Sequence, residues 1–232
     1  MTEEEQIALI KKREECVEKY FKHHRAIQTL KKLSGDKPLT RKQEVLSEYG
    51  RWLAQVESAH SRLERYPIWL SSTNSAVERR GISRVDQFTY HIENYLAAVY
   101  ILNERVRRLV SYLEKRGGRK RCNTTTIESL RKARRTFMLS LDPLMEIRRR
   151  HTHEKHFNDK ELTTMEMADK AGEFSKDPSE KKQFKGWAII LLRFQRHRWK
   201  KMLKNNNRNF SVLLGMIYEP ADKLVWEIYQ KT

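Results

Sequence analysis

VDQFTYHIENYLAAVYILNERVRRLVSYL, residues 85–113, carries large apolar side chains at Val85, Phe88, Ile92, Leu96, Val99, Leu102, Val106, Leu109 and Leu113. The steps between them alternate between three and four residues, so on an α-helix they form one continuous stripe. A strand, with its two-residue period, cannot collect them on one face. The stretch predicts a long helix that buries one edge, opened by Ser83 and Asp86 and closed at Gly117-Gly118.

The same device recurs on either side. Upstream, Thr40 with Gln43 opens a helix whose stripe is Leu46, Tyr49, Leu53, Val56, His60 and Leu63. Before it, Thr2 with Glu5 opens another, marked by Val17, Phe21, His24, Ile27 and Leu30 and ending near Ser34-Gly35. These two predict a hairpin with a near-coiled-coil seam. Pro67 is expected to stop the second helix, leaving residues 67–82 as a connector. Downstream of the glycine pair, a basic loop leads to a helix from about Thr125, with Ile127, Leu130, Phe137, Leu141 and Leu144 inward. Pro143 is expected to interrupt it, with Asp142 capping a renewed turn. A short helix near 159–171 follows. Two C-terminal helices, 179–204 and 209–230, are expected on either side of Asn205-Asn206-Asn207, with Pro220 kinking the last. The fold class is therefore all-α.

Composition limits the functional classes. Eight glycines and five prolines in 232 residues argue against a many-turned β architecture. A net charge of +18 draws polyanions, with nucleic acid first, an anionic membrane surface second and an acidic protein third. Cys16 and Cys122 cannot build a disulfide framework and have no zinc spacing. The N-terminus lacks the apolar run of a signal peptide, and Trp187 to Leu192 is too short to span a bilayer. These features predict a soluble cytoplasmic protein without a membrane partner.

Residues 147–157, IRRRHTHEKHF, concentrate groups suited to phosphate and proton chemistry. As a metal site the stretch is poor. His153-Glu154-Lys155-His156 is one residue short of HExxH, and Lys155 adds a repelling charge. As a passive phosphate clamp, Arg149, His153 and His156 share one helical face at i, i+4 and i+7. Metal-free RNA cleavage is the third reading. It needs groups titrating near neutrality to deprotonate the ribose 2′-hydroxyl and protonate the leaving 5′-oxygen, and a fixed cation for the charged phosphorane. Histidine meets the first need and arginine the second.

In an all-helical chain, Arg148 followed after four residues by His153 resembles the HEPN superfamily, whose signature is an arginine, a polar residue and a histidine four to six positions on. The apolar run FMLSLDPLMEI leads into the motif and HEKHFNDKEL follows it. The resemblance is clear for 125–172 and general for 84–232. It divides the chain into residues 1–82, an N-terminal helical hairpin extension with its connector, and residues 83–232, a HEPN-like helical bundle. It implies a homodimeric, metal-independent endoribonuclease without cofactor, in a toxin–antitoxin, abortive-infection or antiviral defence setting. An acidic antitoxin or defence-complex partner would accompany it. On this sequence Arg148 would hold the scissile phosphate. His153 would act as base in one subunit and acid in the other, leaving 2′,3′-cyclic phosphate and 5′-hydroxyl ends. Arg149 stands where asparagine is usual, so a hydrogen-bonding orienter is replaced by a cation. A non-catalytic nucleic-acid-binding subunit of the same fold is the other reading.

Supporting RNA contacts are expected from Arg149, Arg150, His151 and His156, and from Arg119, Lys120 and Arg121 in the basic loop. On an ideal helix Arg148 and His153 point about 140° apart. The helix must therefore break near the motif, or a broad dimer groove must reach both. His60, within an apolar stripe, reads as a satisfied core histidine, whereas His23, His24 and His197 read as surface groups. Trp187, Phe194 and Trp199 read first as packing residues, with Trp199, among Arg196, Arg198, Lys200 and Lys201, the best placed to stack on a base. Asp142 and Glu146 read as capping and helix-surface groups.

Overall fold

A computed structural model of the chain describes residues 1–34, 38–72, 75–153 and 160–232, without the side chains of residues 23, 24, 26–34, 75 and 150–153. Seven α-helices and no strand are formed among the described residues. They are α1 (Glu3–Ser34), α2 (Arg41–Trp69), α3 (Ser75–Glu78), α4 (Arg84–Arg119), α5 (Thr124–His153), α6 (Lys160–Phe174) and α7 (Pro178–Gln230). None of them is long and apolar enough to cross a membrane.

The helix starts follow from local chemistry. At α1 the Thr2 N–H donates to Glu5 Oε2 (2.7 Å), and the Glu5 N–H donates to Thr2 Oγ1 (3.2 Å). Thr40 and Gln43 make the same reciprocal pair at α2, and Ser83 and Asp86 at α4. Each pair satisfies amides that the first helical turn leaves without partners. The stripe expected from the α4 sequence is buried from Val85 to Leu113, and that of α2 from Leu46 to Leu63. On α1 the buried edge is Arg13, Cys16 and Tyr20, while Val17 and Phe21 are half-buried beside it; His24, Ile27 and Leu30 lie outside the described side chains.

Four expected breaks do not occur, or occur elsewhere. α4 continues through Gly117 and Gly118 to Arg119. It ends in a Schellman motif, with Arg121 at φ 50°, Cys122 N–H on Gly117 O (3.0 Å) and Arg121 N–H on Gly118 O (3.1 Å). α2 runs past Pro67 to Trp69. Proline lacks the amide that would bond the carbonyl of Leu63, and the side-chain amide of Asn207 donates to that oxygen instead (3.1 Å). α5 passes unbroken through Pro143, because the carbonyl left without a donor belongs to Leu139, on the exposed side of the helix. Asn205, Asn206 and Asn207 lie within a single α7. The weak helix propensity of asparagine is outweighed there by burial of Leu203, Asn207, Phe210 and Leu214.

The chain forms two compact units, each drawing residues from both sides of position 82. Unit 1 is Met1–Ser61, Ile101–Leu141 and Arg208–Thr232; unit 2 is Arg62–Tyr100 and Asp142–Asn207. Unit 1 is built on Tyr49, Leu53, Val56, Val106, Leu109, Leu130, Phe137, Leu214 and Leu224, all buried. At Gly215 of α7 the backbone approaches the Leu9 carbonyl of α1 so closely that a Cβ would collide with it. Beside this approach a buried polar hub joins three helices. Arg13 forks onto Glu57 (3.0 and 2.5 Å), Tyr218 donates to Glu57 (2.7 Å), and His60 lies between Arg13 (3.0 Å) and Ser211 (3.2 Å). Unit 2 packs Leu63, Tyr66, Phe88, Ile92, Tyr95 and Leu96 with Leu162, Met165, Leu192, Trp199 and Leu203. Tyr66 meets Tyr95 edge to face, and the Tyr95 hydroxyl accepts from Asn206 (3.2 Å).

Candidate nucleic-acid interface

Arg148 follows the buried Leu141 and Leu144 by seven and four residues, so it shares their face of α5. That placement sends its aliphatic stem along half-buried surface and sets its guanidinium over the ring of Tyr100 on α4, 4.1 Å from the centroid. A guanidinium on an aromatic face keeps its charge and its in-plane N–H donors while losing rotamer freedom. Tyr100 was not among the residues expected from sequence. It lies one position beyond the buried Val99, and only packing against α5 reveals its role. The next residue, Arg149, is exposed and pairs with Glu146 one turn earlier (2.6 Å). Glu146 therefore occupies itself with a neighbouring cation, the helix-surface role expected of it.

Because α5 stays helical to His153, positions 148 and 153 lie on faces about 140° apart. No narrow pocket on one copy can hold both groups, so a site that uses them must be a broad groove. The side chains of Arg150, His151 and His153, and all of His156, lie outside the described residues. Arg119, Lys120 and Arg121 belong to unit 1, at the end of α4. There Lys120 Nζ donates to the Lys231 carbonyl (3.2 Å), and Arg119 and Arg121 are exposed. Neighbouring Arg116 is engaged by Glu48 and the Tyr112 hydroxyl, so its role is structural.

No protein-family model, curated protein or solved structure matches the chain. The reading of this surface thus rests on its chemistry.

Trp199 is 3% exposed, packed into unit 2, and cannot stack on a base. Its first reading as a packing residue therefore holds, and the flanking Arg198 and Lys200 do not bring it to the surface, because neighbours in sequence point away from one another on a helix. For Trp187 and Phe194 the packing reading fails: both are exposed, as is Phe184 on the same helix, and their face lies opposite the buried Ala188, Leu192, Gln195, Trp199 and Leu203. The signal was available in the spacing of these two groups.

Other titratable groups have structural explanations. His60 is fully buried, and its Nδ1 faces a guanidinium that can only donate. Its proton must therefore sit on Nε2, directed at Ser211 Oγ, so the pair cannot activate that serine as a nucleophile. Burial, then the nearby Arg196 charge, holds the His91 imidazole below its usual range. A cleft of about 330 Å³ in unit 2 is lined by Glu78, Asp169 and Glu173 beside Arg84 and Lys185, a set that repels phosphate more than it attracts it. Among the described residues no three His, Cys, Asp or Glu side chains lie together as metal ligands.

Proposed function

We propose that the protein is a metal-independent endoribonuclease with a HEPN-like bundle, acting at a site shared by two copies of the chain. The observation that carries this reading is Arg148 steadied on Tyr100 near the end of an unbroken α5, with position 153 on a different face. A two-fold arrangement would bring two copies of the guanidinium and two of the imidazole to one broad groove. Arg148 then binds the scissile phosphate and offsets the charge of the phosphorane. One His153 takes the 2′-hydroxyl proton, the freed oxygen attacks phosphorus, and the second His153 protonates the departing 5′-oxygen. The products are a 2′,3′-cyclic phosphate and a 5′-hydroxyl. An acidic antitoxin or defence-complex partner would restrain such an activity, and a net charge of +18 supports a polyanionic partner in either role.

The test is incubation of wild type and His153→Ala with total RNA in excess EDTA, followed by end-group analysis. Wild type should cut, and the variant should lose at least about 100-fold in rate while retaining RNA on a filter. Equal cleavage by the variant would remove the assignment. The second reading, an RNA-binding subunit that does not cut, is favoured by Arg149, which replaces the usual orienting amide and is drawn to Glu146. Intact RNA retained by wild type would select it.

A further inference from the structure

On α7 the side chains of Trp187, Ile190 and Phe194 are 60%, 65% and 63% exposed. Their i, i+3, i+7 spacing gathers them on a single ridge facing away from the core of unit 2. Three large apolar groups held in water together mark a surface that something covers. The chemistry around them narrows the occupant. From Lys181 to Asn207 the helix contains no acidic residue, and Arg193, His197 and Lys201 border the ridge along its exposed side. Glu161 of α6 pairs with Arg198 at one edge.

We infer that this ridge binds single-stranded RNA, with bases stacked on Trp187 and Phe194 and phosphates held by Arg193, His197 and Lys201. Single-strand grooves combine flat aromatic faces with cations in this way, because every base offers a π-face and every linkage a charge. Seven residues of helix separate the two rings by about 10 Å. That is close to three base-stacking intervals of about 3.4 Å, with Ile190 filling the space between. A second copy of the chain fits less well, since a two-fold pairing of this ridge would bring the basic border of one copy against the same basic border of the other. A bilayer also fits less well, because an interfacial helix buries a long apolar face whereas basic residues close this ridge within about two turns. The inference rests on the reading of RNA as partner, but not on Arg148 or His153. The ridge grips a strand whether or not the chain cuts it.

The experiment uses the full chain and a labelled 2′-O-methyl RNA strand of about 12 nucleotides, within the span of known stacking grooves. That strand lacks the hydroxyl needed for cleavage, so binding is read separately from any nuclease activity. Trp187→Ala and Phe194→Ala should each weaken binding about tenfold, with the slope of log affinity against log salt unchanged. Arg193→Ala with Lys201→Ala should flatten that slope by about 0.7 for each phosphate no longer neutralised. Trp187→Leu, which keeps apolar area but not the ring, should behave like alanine, and affinity for a duplex of equal length should not respond to the aromatic changes. Unchanged strand affinity in both alanine variants would overturn the inference, as would full binding by Trp187→Leu. So would an effect of the aromatic changes that appears only on phosphatidylserine vesicles, or only in the mass of the assembly by light scattering.

Discussion

Arg13 illustrates how a single side chain changes meaning on folding. It is 8% exposed, and its guanidinium meets Glu57, His60 and Ser211, residues 44 to 198 positions away. In a basic N-terminal helix an arginine reads as surface, and nothing within a turn of it signals otherwise. His60 was legible as a core residue because it falls in register with Val56 and Leu63, both fully buried. Removing one member of a buried pair strands the other charge, so Glu57→Leu should cost about 3–5 kcal/mol in urea unfolding. Adding Arg13→Met to it should cost less than the sum of the two single changes. Cys16 makes a chemical prediction. Burial, reinforced by Asp222, pushes its thiol up to about 12, so almost no thiolate exists at neutral pH. Iodoacetamide should leave Cys16 unmodified in the native protein and label it once urea exposes it. Rapid native labelling would contradict the packing around Tyr49.

At the scale of elements, the capping pairs and apolar stripes were readable and the interruptions were not. A capping box acts over three residues and a stripe over four, so both are written in adjacent sequence. Whether a proline ends a helix depends on what replaces its missing amide. For Pro67 the replacement is Asn207, which arrives from the other end of the chain. Asn207→Leu should therefore cost about 1–3 kcal/mol, the penalty of an unpaired buried carbonyl. In a Pro67→Ala background the helix can bond Leu63 itself, and the same change should cost markedly less. A double-mutant cycle by urea denaturation measures the difference, and strict additivity would refute the substitution of one donor for the other. The candidate site shows the same division. Arg148 was visible in its motif, but the continuity of α5 and the Tyr100 platform depend on packing between helices.

For the molecule as a whole, charge and burial set the response to solution conditions. The His91 imidazole is held low by burial first and by Arg196 second, so the fold favours its neutral form. Its folded value lies below its unfolded one, so the unfolded chain binds the extra proton. The stability it confers is present above the ordinary imidazole value of 6.5 and is lost as pH falls through the folded value. The urea midpoint of His91→Gln should fall less than that of wild type between about pH 7 and pH 5. Parallel curves would show that His91 does not sense its surroundings. The +18 charge was plain from composition and makes a polyanionic partner the leading expectation. Composition cannot say where that partner lies, since location depends on which cations and aromatics emerge on one face.

Helical class, most helix starts and the main buried stripes were determined by the sequence alone. They arise from apolar periodicity and from hydrogen bonds closed within three or four residues. Tertiary structure decided that Pro67, Pro143 and the Asn205-Asn207 run interrupt nothing, and that Arg148 rests on Tyr100. Those outcomes turn on donors and packing surfaces supplied from distant parts of the chain, which bring their stabilisation only after the helices have met.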